Sequence, residues 1–426
     1  MEGIKRLYDY QQEIKESLIL YLVTKSFNLL SVFKAIMLAL IITFLILLFS
    51  NPLGHQLSVF FLSTQDLFAD FLNPVIYVAD NDVYHNTLNG LHHKIYFPLT
   101  YMLFSLFSGF ADYSGMTLYD TYTCQPAMMS CVLFTLFSIF LFLHALGKVA
   151  KIDTLILIII VCSSVFLFTI ERGNPIMIAV ALVCYFLAYK DSQQKHERYF
   201  ALTALCIAAV LKGFPVILGF YLLQEKRYKD ILFCIITTTL MVFLPFLYFK
   251  GGFSNIPQLF SNIQLHNQLF EDAIYPRFGL SVFNLIAIHV FHFYNDSYAD
   301  IGFSITKGMV ILMSVLSLAL FFVQRTTWKR LMLLTAIIAF LPSDNGFYCG
   351  MYFFPVLLLF LKEQKDSKLD YAYMLLFCIL LNPIQISHHD NSITWLLSNA
   401  ATFVMWMMLI IESIGKIHTK FNKQQA

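Results

Sequence analysis

The sequence predicts an all-α polytopic membrane protein, and three observations carry that prediction. Of its 426 residues, 58% are apolar and only 13% are charged, and the mean hydropathy is +0.70. A soluble domain of this size does not carry such a balance. The apolar residues come in long blocks of the length a helix needs to cross about 30 Å of hydrocarbon. Most of the 28 Lys and Arg residues fall in short tracts between those blocks, where they report topology. A strand-built barrel would show weak alternating segments instead, and none are present.

Taken in order, residues 1–30 mix polar and apolar side chains and carry Lys5, Arg6, Lys15 and Lys25. They read as a cytoplasmic N-terminal segment with no cleavable leader. Apolar runs follow at 31–50, 97–110, 127–146, 154–169, 176–189, 199–223 and 231–249. More follow at 280–293, 303–323, 331–341, 346–361, 371–381 and 393–411. They predict a single integral membrane domain over 1–426 with about 11 to 13 segments. Basic clusters at Lys148/Lys151, Lys190/Lys195/Arg198, Lys226/Arg227/Lys229, Arg325/Lys329/Arg330 and Lys362/Lys365/Lys368 are expected to be cytoplasmic, as is the tail 414–426. The loops 51–96, 251–278, 343–345 and 383–392 are poor in Lys and Arg and are expected on the outer face.

Two runs do not fit simple crossing. The run 199–223 has basic clusters on both sides and holds Lys212-Gly213-Phe214-Pro215 at its middle. It predicts two half-length helices folded back at a Gly-Pro break. Such irregular backbone is tolerated at membrane depth only when buried in protein or lining a wet cavity. The run 97–110 has a similar parity problem, and the sequence leaves open whether it crosses.

Candidate chemistry collects in the outer loops. The first, 51–96, carries Asp66 and Asp70, four apart and so on one face of a helix. A carboxylate there suits proton abstraction from a hydroxyl, or holding a cation against a lipid phosphate. Glu171 and Arg172 close one apolar run, and Asn174 opens the next. Arg recognises phosphate through its planar fork, and Asn can cap a helix whose N-terminus favours an anion. Lys212, inside an apolar run, demands a carboxylate, phosphate or water. His266 and Asn267 in one outer loop, and Asp344 and Asn345 in another, have the mixed polar character of sugar-binding loops. Adjacent histidines at His92-His93 and His388-His389 rarely share one metal and read as surface loops, so no metal site is expected. The eight cysteines lack metal or pairing spacing and read as small packing residues. There is no phosphate-binding glycine loop, dinucleotide fingerprint, nucleophile elbow or zinc motif. The net charge of +2 gives no footprint for nucleic acid.

The order of short motifs resembles glycosyltransferase family 87, the GT-C-type polyprenyl-phosphate-sugar transferases that include bacterial mannosyltransferases. Asp70-Phe71, Tyr77, Tyr84 and Tyr96-Phe97-Pro98-Leu99 match its first outer loop and the start of the next helix. Gly173-Asn174 matches its Gly-x-x-Asn-like turn with a shorter spacing, and Leu211-Lys212-Gly213-Phe214-Pro215 its small-basic-x-x-Pro element. Asn267-Gln268-Leu269 or Gly279-Leu280-Ser281 echoes a further loop. The late Ser-Pro-x-Ser-Trp-x-His-Tyr-like element falls on 341–348, where this chain lacks the Trp and has Phe347 in the position of the His.

The resemblance spans roughly residues 60–350. It implies a GT-C-like bundle with broken half-helices, in a bacterial inner membrane, with its active site on the outer face. It also implies inverting transfer of a hexose, mannose or similar, from a polyprenyl-phosphate donor to a lipid-linked or cell-surface glycan, with membrane lipids around it and no cofactor. Carried over by position, Asp70 is the general base, and Arg172 and Lys212 meet the donor phosphate. Two rival readings remain: an O-antigen-type polymerase, disfavoured by the scarcity of outer arginines beyond Arg172 and Arg277, and a lipid or solute transporter or flippase.

Overall fold

Segments as apolar as these have no water to bond their backbones in a bilayer, so they must satisfy their own N–H and C=O groups as helices. A computed structural model of the chain describes residues 28–50, 56, 67–272, 296–342, 345–388 and 391–425. Its helices are α1 (Leu29–Ser50), α2 (Ala69–Ala79), α3 (Pro98–Ser105), α4 (Leu118–Thr123), α5 (Gln125–Val149), α6 (Thr154–Val161) and α7 (Ser164–Arg172). Then come α8 (Ile176–Tyr189), α9 (Lys195–Lys212), α10 (Phe220–Gln224), α11 (Tyr228–Phe243) and α12 (Asn255–Asp272). The last are α13 (Asp296–Val323), α14 (Thr327–Phe340), α15 (Phe353–Glu363), α16 (Lys368–Leu381) and α17 (Ile393–Gln425). Short 3-10 turns join several of them, and Ser387–His388 pairs with Asn391–Ser392 in a small antiparallel bridge.

The protein is therefore all-α and polytopic, with inner and outer helices of different length. Among the described residues, five helices are long and apolar enough to cross a membrane: α1, α5, α11 continued to Tyr248, α13 from Ser304 and α17 to Ile417. Only 6% of the α11 window is buried, and Leu232, Ile235, Ile236 and Leu240 are exposed, the pattern expected of a helix that faces lipid. The expected segments 176–189, 331–341, 346–361 and 371–381 are instead the shorter helices α8, α14, α15 and α16. In α8, α14 and α15 most side chains are buried, the pattern of a helix surrounded by protein. The apolar run 280–293 lies outside the described residues.

Three local outcomes refine the expectations. The run 154–169 does not form one rod: α6 and α7 meet at a 54° bend. Ser163 causes it by starting a new helix, its hydroxyl donating to the Ile160 carbonyl at 2.7 Å and accepting from the Phe166 N–H. The run 97–110 yields α3, whose eight residues cover about 12 Å and cannot cross.

The segment 199–223 does break at Gly213, which takes φ 68. Its two parts are unequal, and Lys212 ends the longer part rather than joining two half-length helices. It ends the 18-residue helix α9, about 27 Å from Lys195. The chain then returns through a 3-10 turn, Phe214–Gly219, and α10. Ion pairs show that the return reaches the starting end: Lys190 meets Glu225 at 2.6 Å, and Arg227 meets Asp191 at 3.3 Å. This hairpin resolves the parity problem, with Lys212 at its tip.

At that same end, α14 and α17 are tied by Lys329 and Glu412, which also meets Lys416 at 2.6 Å. Glu412→Ala removes the carboxylate the two lysines share while Lys329 stays largely buried. It is expected to cost about 3 kcal/mol, seen as a lower melting temperature in detergent. An unchanged melting temperature would mean that water solvates Lys329 instead.

Candidate functional site

The site forms where α7, α8, α2 and the tip of the α9 hairpin converge. Helix α7 ends at Arg172 because Gly173 adopts the left-handed conformation, φ 63, that closes helices without a Cβ penalty. Asn174 then caps the next helix, its Oδ1 accepting from the Ile176 N–H at 2.9 Å. With its oxygen so used, the amide nitrogen is left to donate outward. It donates to Asp70 Oδ2 at 2.7 Å.

Asp70 reaches this point because the start of α2 is docked onto the end of α7. The Phe68 N–H donates to the Glu171 carbonyl at 2.7 Å, and the Tyr122 hydroxyl donates to the Leu67 carbonyl at 2.8 Å. One residue further on, Phe71 is buried against Phe134, stacked at 4.6 Å, with Phe104 and Phe107 edge-on. Asp70 thus sits in the first turn of α2, where the helix dipole favours a negative charge.

Arg172 completes the grip, donating from Nη2 to Asp70 Oδ1 at 2.6 Å. The two side chains are 18% and 21% exposed, so the pair is sheltered but reachable. Burial pushes the Asp70 carboxyl up, but the Arg172 charge, the hydrogen bonds from Arg172 and Asn174 and the field of Lys212 together outweigh it. The net effect holds Asp70 below its ordinary value. A depressed carboxylate stabilises the fold above its unfolded-state pKa and loses that contribution as pH falls through its folded one. The stability difference between wild type and Asp70→Asn, read by thermal melting at pH 7, is therefore expected to shrink below about pH 4. A difference unchanged at about pH 3 would mean that the pair does not stabilise the fold.

Lys212 lies beside this grip. Its ammonium donates to the Tyr96 hydroxyl at 3.2 Å and stands 4.9 Å from the Tyr96 ring and 5.4 Å from the Tyr348 ring. Lys212 is also the last residue of α9, the helix end toward which a cation is drawn. An apolar groove of about 410 Å³ begins at the next residue, lined by Gly213, Phe214, Ile217, Phe220, Ile338 and Leu341 among others.

Of the residues singled out in the sequence, Asp70, Arg172, Asn174 and Lys212 converge. Glu171 is buried in the last turn of α7 and contributes its carbonyl to the docking of α2. His266 serves another purpose: its Nδ1–H donates to the His92 carbonyl at 2.9 Å, while Asn262 donates to the carbonyls of Tyr84 and Lys94. Together they strap α12 to the loop before α3. Asn267 is exposed on α12. Asn345 closes the end of α14, donating to the carbonyls of Ile338 and Ala339 at 2.9 and 3.0 Å. Asp66 and Asp344 lie outside the described residues.

Two residues were missed as site members. Tyr96 and Tyr348 were noted only within motifs, yet they flank the Lys212 ammonium. In a chain that is 16% aromatic, one tyrosine gives no signal of its own. The buried Lys94 was also passed over; it donates to the carbonyls of Leu88 and Gly90 and lies 4.2 Å from the Tyr77 ring. Burial pulls its ammonium down to about 8. Chemically, the described residues offer the Asp70 carboxylate, two cations and, from Gly213 onward, an apolar groove, a set suited to a substrate that joins an anion to a long apolar chain. Comparison of the chain with protein-family models, curated proteins and solved structures finds no match.

Proposed function

We propose that the protein is a membrane glycosyltransferase that moves a hexose from a polyprenyl-phosphate carrier to a lipid-linked or surface glycan. One observation carries this reading: among the described residues, the Asp70 carboxylate is gripped by Arg172 and feels the charge of Lys212, and an apolar groove begins at Gly213, one residue on. The groove suits the isoprenoid chain, the cations suit the phosphate, and the carboxylate suits an acceptor hydroxyl.

In this mechanism the acceptor hydroxyl attacks the anomeric carbon and gives its proton to Asp70 as the new C–O bond forms. The bond from that carbon to the phosphate oxygen breaks on the opposite face, so configuration inverts. The carrier leaves as polyprenyl phosphate, its added negative charge met by Lys212 and Arg172 without a metal. Asp70 then returns the proton to water. The site lies at the Lys212 end of α9, opposite the Lys190–Glu225 cluster, which matches an active site on the outer face if that cluster is cytoplasmic.

The test uses purified protein, a panel of short-chain polyprenyl-phosphate hexoses, an extract of lipid-linked acceptors, and vesicles loaded for transport. Label passing from one donor to an acceptor supports the reading. Movement of lipid or solute across vesicles with no transfer from any donor would assign a carrier instead.

A further inference from the structure

We infer that Arg172 is shared between Asp70 and the donor phosphate, so that binding the donor draws the guanidinium off the carboxylate and releases Asp70 to act as base. The inference rests on the donor reading above and adds a coupling between the two halves of the site.

The geometry motivates it. Each Asp70 oxygen already accepts a hydrogen bond, Oδ1 from Arg172 at 2.6 Å and Oδ2 from Asn174 at 2.7 Å. A carboxylate so held is a weak proton acceptor, which is the wrong resting state for a general base. The two donors differ in freedom. Asn174 is fixed from behind by the Ile176 N–H at the start of α8. Arg172 is the last residue of α7, followed by Gly173, and its long side chain is 21% exposed. Of the two, the arginine has the longer and partly exposed side chain, while the asparagine is tied to a helix start.

A phosphate is a strong competitor for it, because the guanidinium fork matches two phosphate oxygens as well as it matches a carboxylate. Lys212 supplies the second attraction. Held by Tyr96 and Tyr348, it stands near enough for its charge to be felt at Asp70. An anion between Lys212 and Arg172 would therefore gain both cations, and Asp70 would lose one hydrogen bond and a neighbouring positive charge. Both losses make the carboxylate more basic. The base would strengthen only once a donor is in place, and the resting grip would lower donor affinity by the same linkage.

The experiment measures binding without turnover. A short-chain polyprenyl monophosphate is titrated into detergent-solubilised wild type, Asp70→Asn, Arg172→Gln and the double variant, each checked by thermal melting. Asp70→Ser replaces Asp70→Asn if that variant does not fold. The expected result is tightening of about fivefold to tenfold in Asp70→Asn, weakening in Arg172→Gln, and no tightening by the Asp70 change once Arg172 is gone. Equal tightening in both backgrounds would reduce the effect to charge repulsion and overturn the inference alone. Unchanged affinity in Asp70→Asn would also overturn it. No binding by wild type or any variant would remove the donor reading, and this inference with it.

Discussion

Asp70→Asn is expected to lower glycosyl transfer by about 10² to 10⁴-fold, the usual contribution of a positioned general base. The substitution changes one atom and keeps an oxygen that can accept from Arg172, so the dock of α2 on α7, built on backbone contacts and on Phe71, should survive. The loss should fall on turnover rather than on donor affinity, which sharing of Arg172 would improve. Rates at saturating donor, with melting curves for each protein, check this. Full activity in a folded Asp70→Asn protein would remove Asp70 from the chemistry and leave the cations as anion-binding groups only.

Gly173→Val should be almost as damaging, for a different reason. The left-handed backbone at φ 63 costs a residue with a Cβ about 1–2 kcal/mol, and a β-branched one more. The added Cβ would also stand 3.0 Å from the Cβ of Phe71, closer than ordinary contact. Phe71 is wedged among three other rings, so the strain should reach Asp70 next to it and Asn174 on the far side of the turn. A misplacement near 1 Å typically costs about 10²-fold in rate. Activity and melting temperature should therefore fall together. Gly173→Asn is the milder comparison, since Asn tolerates this conformation better. Equal behaviour of the Val and Asn variants would show that the crowding of any Cβ against Phe71, and not tolerance of the left-handed backbone, governs this turn.

Some of this was legible in the residues and some was not. The apolar runs announced helices, and the Gly213–Pro215 break was visible because no helix continues through that pair. Apolar content alone, however, does not distinguish a lipid-facing rod such as α11 from a protein-covered inner helix such as α8. The bend at Ser163 was hidden because a serine inside an apolar run more often faces a neighbour than caps a new helix. Asp70 and Arg172 each drew attention locally, but they are 102 positions apart, and nothing in their spacing paired them. His266 shows what spacing cannot give: a histidine among amides looks like a sugar contact, and its Nδ1–H is bonded to a loop carbonyl 174 positions away.

The shortness of α8 has a consequence for where the reaction takes place. Fourteen residues rise about 21 Å, against about 30 Å of hydrocarbon. If the basic cluster at its Lys190 end lies at one membrane surface, its Asn174 end stops short of the other. Asp70 is then expected to lie in a recess below the headgroups, at a depth that a sugar on a lipid anchor reaches by lateral diffusion alone. A water-borne substrate would have to descend into it. Quenching of a probe at position 70 by lipids labelled at graded depths would measure the recess directly, and strongest quenching from headgroup labels would place the carboxylate at the surface instead.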